Sequence, residues 1–396
     1  MDHYANIDNG GQSYAPNNNW METPTKGRGS KAKWIIAGSI IGLLALIGVG
    51  VGVGVSVANK NKTSSSSSSS SSPTNSDPND PSQFTKNDAL KQSLYGIAYT
   101  PEGSQLPDCG NSLEDVITDI QLMSQLTTRI RLYGADCNQS ALVLEAIKQT
   151  KVNMTVWLGN YPSATDSTAY TRQRDLITAA IQTYGTDHIG GITVGNEFIL
   201  DYLGANGGGS DPNSDIGNQG AEILLANIQD TISTIGNLSL DVTIPIGNAD
   251  AGSYFNDKVL AAVDYGMANV HPWFANVSVE ESAGWTWEFF QENDVELAQS
   301  LGNSPQMYIA ETGWPTNSSD AGNESNGPST ATVDNLQIFL DNFVCQANAN
   351  GTGYFFFEYF DETWKDAEFG GVEGWWGLFT SNRTLKDGLT IPDCSS

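Results

Sequence analysis

The chain has 396 residues with 45 acidic against 18 basic side chains, a net charge of −27. That balance repels phosphate backbones at neutral pH and argues against nucleic acid as a partner. The three histidines and four cysteines show no CxxC or clustered Cys/His spacing, so no metal-binding set is indicated.

Residues 1–33 are polar, rich in Asn and Gly, and too poor in apolar side chains to fold alone. Residues 34–59 carry no charge, and as a helix at about 1.5 Å per residue they would reach roughly 39 Å, more than the hydrocarbon core of a bilayer. Lys26, Arg28, Lys31 and Lys33 precede this run, and only Lys60 and Lys62 closely follow it. The bias predicts a type II signal-anchor in the cell membrane, with tail 1–33 in the cytoplasm and everything after residue 59 outside. A cleaved signal peptide is the rival reading, because Ser56-Val57-Ala58 offers small residues, but the basic stretch and the apolar run are both too long for one. Gly48 with Gly52, or Gly50 with Gly54, supplies small-xxx-small spacing for a helix contact. Residues 60–93, with unbroken serine from Ser64 to Ser72, read as a flexible Ser/Pro-rich linker and a candidate for O-linked sugar.

From residue 94 to 396 the sequence is globular. Eight short apolar runs recur, Leu94–Tyr99, Thr128–Tyr133, Met154–Leu158, Gly191–Gly195, Val242–Gly247, Met267–Val270, Met307–Ala310 and Gly353–Phe357. Helical periodicity lies between them, opened after Ser112 by a capping-box pattern and continued at Ser140–Thr150, Ala169–Tyr184, Ala221–Ile235, Trp285–Leu301 and Thr330–Ala349. This alternation predicts an α/β fold with a parallel sheet, and the length of the unit predicts closure into a (β/α)8 TIM barrel. No Gly-rich phosphate loop follows the first run, which counts against a nucleotide-binding fold. Gly204–Gln219 and Asn317–Ser329 read as long loops on the rim of the barrel.

The four cysteines, Cys109, Cys137, Cys345 and Cys394, admit three pairings. Cys109 with Cys137 is favoured because both would follow neighbouring strands, which leaves Cys345 with Cys394. Eight Asn-x-Ser/Thr sequons after residue 94, at Asn138, Asn153, Asn237, Asn276, Asn317, Asn323, Asn350 and Asn382, with Asn61 a ninth, agree with an extracellular domain, although Asn153 is placed at the opening of a strand.

Two carboxylates stand out. Glu197 ends Gly-Ile-Thr-Val-Gly-Asn-Glu, and Glu311 ends Met-Tyr-Ile-Ala-Glu, each right after an apolar stretch of strand length. A charge there is costly in a core but well placed at the open end of a parallel barrel. Two such glutamates are the equipment of a glycosidase, in which one carboxyl is protonated and the other ionised. Arg131, at the end of the second run, is placed to orient Glu311 and keep it ionised, or else to serve as a structural ion-pair partner. Tyr99 and Tyr133 fit either core aromatics or sugar contacts at the barrel mouth. His271 falls at the end of the sixth run, near the expected substrate. Trp273, Trp314, Trp364, Trp375 and Trp376 fall in or near loops after predicted strands, where indole faces serve as sugar platforms. Trp157 and Trp287 read as structural, and Glu358 and Asp361 as solvated loop charges.

Val194-Gly-Asn-Glu197 and Ala310-Glu-Thr-Gly-Trp-Pro315 resemble the two catalytic signatures of glycoside hydrolase family 17, the β-1,3-glucanases and related glucanosyltransferases. Leu94-Tyr-Gly-Ile-Ala-Tyr99, Ile130-Arg-Leu-Tyr133, Val270-His-Pro-Trp-Phe274, Asp361-Glu-Thr-Trp-Lys365 and Glu373-Gly-Trp-Trp-Gly-Leu-Phe379 also look like segments of that family, in order. The resemblance implies Glu197 as acid/base, Glu311 as nucleophile, Asn196 on the sugar 2-hydroxyl, and Glu362, Lys365 and Glu373 in a supporting network near the nucleophile. It implies retaining endo-β-1,3-glucanase action on a fungal-type cell wall, with no cofactor. A glucanosyltransferase on the same scaffold and a non-catalytic glucan-binding wall tether are the alternatives, and a barrel glycosidase for a β-1,4 linkage is disfavoured by the Glu-Thr-Gly-Trp-Pro context.

Overall fold

The computed structural model describes residues 80–394. The expected tail, the membrane helix at 34–59 and most of the serine-rich linker lie outside the described residues. Among the described residues no helix is long and apolar enough to cross a membrane.

Eight strands close in chain order into a barrel: β1 Gly96–Ala98, β2 Arg129–Arg131, β3 Thr155–Asn160, β4 Ile189–Val194, β5 Ile246–Ala251, β6 Tyr265–Asn269, β7 Gln306–Thr312 and β8 Tyr354–Phe356. All neighbours pair in parallel, and β1 closes on β8 through Gly96 opposite Phe355 and Ile97 opposite Phe356. Helices return the chain outside the barrel, so their apolar stripes and the outer strand faces form one large core. Trp157, Ala249, Tyr265, Met267, Ala310 and Phe355 form a second cluster. Its bulk depends on glycine: a Cβ at Gly247 would stand 2.1 Å from the Tyr265 ring, and one at Gly191 would stand 2.7 Å from the Tyr265 hydroxyl oxygen.

Most elements fall where the periodicity places them. Helix Leu113–Met123 starts at Ser112, whose Oγ accepts the Asp115 N–H. Helix Val333–Ala349 starts at Thr332, whose Oγ1 accepts the Asn335 N–H. Three expectations change. The loop expected over Gly204–Gln219 is shorter: the ends of helices Phe198–Asn206 and Asp215–Gly236 take half of it and leave residues 207–214 as the loop, with Ser214 Oγ capping the second helix on the Gly217 N–H. β5 starts at Ile246, later than its run, and extends to Ala251, because the polar side chains of Asn248 and Asp250 are buried with hydrogen-bond partners. The segment Trp285–Leu301 is broken by a π-helical turn at Phe290–Val295.

The linker also ends earlier than its composition suggests. Residues 80–93 run along the end of the barrel where the strands begin. There Gln121 Nε2 donates to the Pro81 carbonyl, the Asn87 N–H donates to Gln125, and Leu90 is buried. The disulfides are Cys109–Cys137, joining the loops after β1 and β2, and Cys345–Cys394, tying the C-terminal segment to helix Val333–Ala349. Asn153 does not open a strand; it is exposed and precedes the start of β3 at Thr155.

Candidate active site

Glu311 lies near the end of β7, beyond a register shift between β6 and β7 that places it opposite Asn269. Such a shift re-aims a side chain without ending the sheet. The carboxylate is nearly buried, and both oxygens are held. Arg131 Nη1 donates to Oε1 at 2.9 Å, and His271 Nε2 lies 3.1 Å from Oε2. Burial pushes the carboxyl up, but His271 and the Arg131 guanidinium more than offset it and bring Glu311 down to about 2.

Glu197 stands between β4 and helix Phe198–Asn206 with φ 53° and ψ 29°, in the left-handed region. For a residue with a Cβ this costs roughly 1–2 kcal/mol, and the kink turns the half-buried carboxyl into the mouth of the barrel. Asn269 Nδ2 donates to Oε1 at 2.9 Å. Burial, then the nearby Glu311 charge, push Glu197 up to about 7. Asn196 links the two halves: its Oδ1 accepts from Arg131 Nη2 at 2.6 Å and from Asn269 Nδ2 at 3.3 Å. The two glutamates therefore share one polar network and are driven to opposite protonation states.

The Tyr133 ring lies 4.5 Å from the Arg131 guanidinium, and burial and Glu311 hold its phenol well above the usual range. Behind the site, Lys365 Nζ reaches Glu358 Oε2 at 2.7 Å and Glu362 Oε2 at 3.2 Å, while Trp364 Nε1 donates to Glu362. Glu373 is half-buried near Lys365, His271 and Glu311. Glu358 and Asp361, expected as solvated loop charges, are instead buried. Glu358 pairs with Lys365, and Asp361 pairs with Lys386 Nζ at 2.6 Å and accepts the Gly377 N–H. Their surroundings supply the partners that make burial tolerable.

Several expected aromatic contacts move. Tyr99 is buried, and its hydroxyl donates to Asp119, which also takes Arg383 Nε; it staples the C-terminal segment to the barrel and does not face sugar. Trp314 is sealed in the core with Nε1 on the Thr330 carbonyl, and Trp273 is packed edge-on against it at 5.3 Å. Both lie under the β7 loop, which Asn326 fastens to the Trp273 and Val277 carbonyls. Trp376 is buried against His271. Trp364 and Trp375 are half-buried. The aromatic faces left open are Phe274, 41% exposed beside His271, and Tyr161, 36% exposed just beyond β3. Sequence reasoning missed Tyr161 and Asn269; the signal for Asn269 was a polar side chain at the end of a buried strand, two residues before His271. No group of residues able to hold a metal occurs among the described residues.

Residues 96–377 match the model of the BtgE/BtgC glycoside hydrolase domain. The chain is 35% identical over 333 residues to the "Probable glucan endo-1,3-beta-glucosidase btgC" of Aspergillus flavus, an alignment covering 81% of this chain and 46% of that protein. It is 34% identical over 343 residues to the "Glucan endo-1,3-beta-glucosidase btgC" of Emericella nidulans, covering 81% and 50%. The chain thus spans about half the length of these relatives. The barrel superposes with a TM-score of 0.60 on an active-site mutant of Rhizomucor miehei β-1,3-glucanosyltransferase in complex with laminaritriose; at 21% identity, and covering 77% of this chain and 99% of that one, this likeness shows the shared fold.

Proposed function

Because the chain belongs to the BtgE/BtgC glycoside hydrolase family, we propose that it is a retaining endo-β-1,3-glucanase, with Glu197 as acid/base and Glu311 as nucleophile. The observation that carries this reading is the pair itself. The two carboxyls meet in one network at the barrel mouth, one held ionised by Arg131 and His271 and the other driven towards the acid form. In the first step Glu197 gives its proton to the leaving glycosidic oxygen while Glu311 attacks the anomeric carbon. In the second, water attacks the glycosyl ester with Glu197 taking back a proton. The btgC relatives carry glucan endo-1,3-beta-glucosidase in their names, which supports β-1,3-glucan as the substrate. The uncharged run 34–59 and the basic residues before it support a type II anchor in the cell membrane, with the serine-rich linker that begins at residue 60 carrying the catalytic unit outside, facing wall glucan.

The test is digestion of laminarin by the purified protein, with products sized over time. Shortened chains support hydrolysis, chains longer than the substrate point to transfer, and bound glucan with no product leaves only a tether.

Two further outcomes are expected. The working form needs Glu311 ionised and Glu197 protonated, which holds between about pH 2 and about pH 7. The kcat/KM profile of the free enzyme should therefore fall as pH rises through the neutral region. A flat profile from pH 5 to 9 would contradict the assignment of Glu197. Phe274→Ala removes an open aromatic face and should raise KM for laminarin by about 3–10-fold with kcat nearly unchanged, the signature of lost uniform binding.

A further inference from the structure

Helix Phe198–Asn206 begins immediately after Glu197. The residue at that position usually turns its own side chain onto the first free N–H groups of the helix. Glu197 makes no such bond, because its carboxyl points to Asn269. The N–H groups are satisfied from the next strand instead. Asp250, completely buried on β5, takes the Ile199 N–H on Oδ2 at 2.9 Å, and the Leu200 N–H on Oδ1 at 3.5 Å. Its Oδ1 also takes the Ala251 N–H at 3.0 Å, which fixes the carboxyl group to its own strand. The neighbouring Ala249 carbonyl accepts the Glu197 N–H at 3.2 Å, and Asn248 Nδ2 donates to the Val194 carbonyl at 2.8 Å. Three consecutive residues of β5 therefore grip the turn on both sides of Glu197.

We propose that Asp250 is a positioning residue for the acid/base: it caps the helix in place of Glu197, so that the Glu197 carboxyl is released from capping and held at the leaving oxygen. This rests on the assignment of Glu197 above. Aspartate suits the task because two acceptor oxygens are needed and all three partners, the Ile199, Leu200 and Ala251 N–H groups, are donors. Asparagine would set an NH2 group against one of the backbone N–H groups. A cap lost here lets the turn relax toward one in which Glu197 folds back onto its own helix, away from the substrate.

The experiment compares two substrates in the full-length protein, with Asp250→Ala and Asp250→Asn beside wild type and Glu197→Gln. Laminarin has a poor leaving group that needs the proton of Glu197. The 2,4-dinitrophenyl β-laminaribioside has a leaving group that departs without one. A displaced acid should cost Asp250→Ala about 100-fold in kcat on laminarin with KM within about 3-fold, as expected for a misplaced catalytic group. Its kcat/KM on the dinitrophenyl substrate, which reports only formation of the glycosyl ester, should stay within about 5-fold of wild type. Azide should also raise its dinitrophenyl turnover. Azide attacks the anomeric carbon of the glycosyl–Glu311 ester, the bond to the carboxylate oxygen breaks with its electron pair returning to Glu311, and a β-glycosyl azide leaves. Asp250→Asn keeps the shape and should show the same pattern at about 10-fold on laminarin.

Equal losses on both substrates, or no loss on laminarin, would overturn the positioning role. Failure of both variants to fold would overturn it as well and assign Asp250 to stability alone. A wild type inactive on both substrates is a different result: it sinks the glucanase reading, and this inference with it.

Discussion

Glu311→Gln should reduce turnover of laminarin by about 10⁴-fold or more, with no leaving group able to restore it. An amide is too weak a nucleophile to form the glycosyl ester, so the first step has no route through this residue. The replacement is close to isosteric, and its carbonyl oxygen still accepts the Arg131 Nη1 hydrogen bond now at 2.9 Å, so the site should stay assembled. Glu197→Gln provides the contrast. It removes the proton donor but leaves the nucleophile, so it should be inactive on laminarin yet still release dinitrophenolate from the activated glycoside. Binding of laminarin should survive in both variants. Measured turnover of laminarin by Glu311→Gln within about 10-fold of wild type would remove the nucleophile assignment, since loss of a nucleophile elsewhere costs orders of magnitude more.

The parts of this site that were legible in the sequence are those that follow from strand ends. Glu197, Glu311, Arg131 and His271 each close an apolar run, and a parallel barrel brings the ends of all its strands to one mouth. The Cys109–Cys137 bridge follows from the same logic, because the loops after adjacent strands are neighbours. What stayed hidden depends on which loops fold over which. Trp314 and Trp273 occupy loop positions in sequence, yet the β7 loop closes on them through Asn326 and Trp314 Nε1 and takes both indoles away from solvent. Glu358 reads as a loop charge because the sequence does not show that Lys365, seven residues on in helix Thr363–Phe369, folds back over it and that Glu358 is buried. Asp250 lies within a segment whose polar residues blurred the strand, and its role exists only because β5 lies beside β4. Burial of a charge pair and a borrowed cap are set by how the chain folds in space, and periodicity carries no information about them.

Arg131→Leu should change both the pH profile and the stability curve. Arg131 is 1% exposed and serves three acceptors, Glu311, the Ala310 carbonyl and Asn196. In its absence burial acts on Glu311 with only His271 opposing it, so the carboxyl should rise from about 2 into or above its ordinary range. The acidic limb of the kcat/KM profile should then move upward by several pH units. Near pH 4, inside the working window proposed for the wild type, the variant should lose about 4-fold if Glu311 returns to its ordinary value, and a further tenfold for each unit by which it rises above that. The sign of the stability change follows from the same shift. A carboxyl depressed from 4.5 to about 2 stabilises the fold above its unfolded pKa, by about 3 kcal/mol, and loses that contribution as pH falls through the folded value. In Arg131→Leu the contribution disappears or reverses, because a buried carboxylate is left without its main cation. The variant should therefore melt well below wild type at pH 7, and the gap should narrow as pH falls from about 4.5 to about 2, where Glu311 is increasingly protonated in both unfolded chains. Thermal melts across pH 2–8 measure this directly. A gap that is constant with pH would assign Arg131 to packing alone and leave the ionisation of Glu311 to His271.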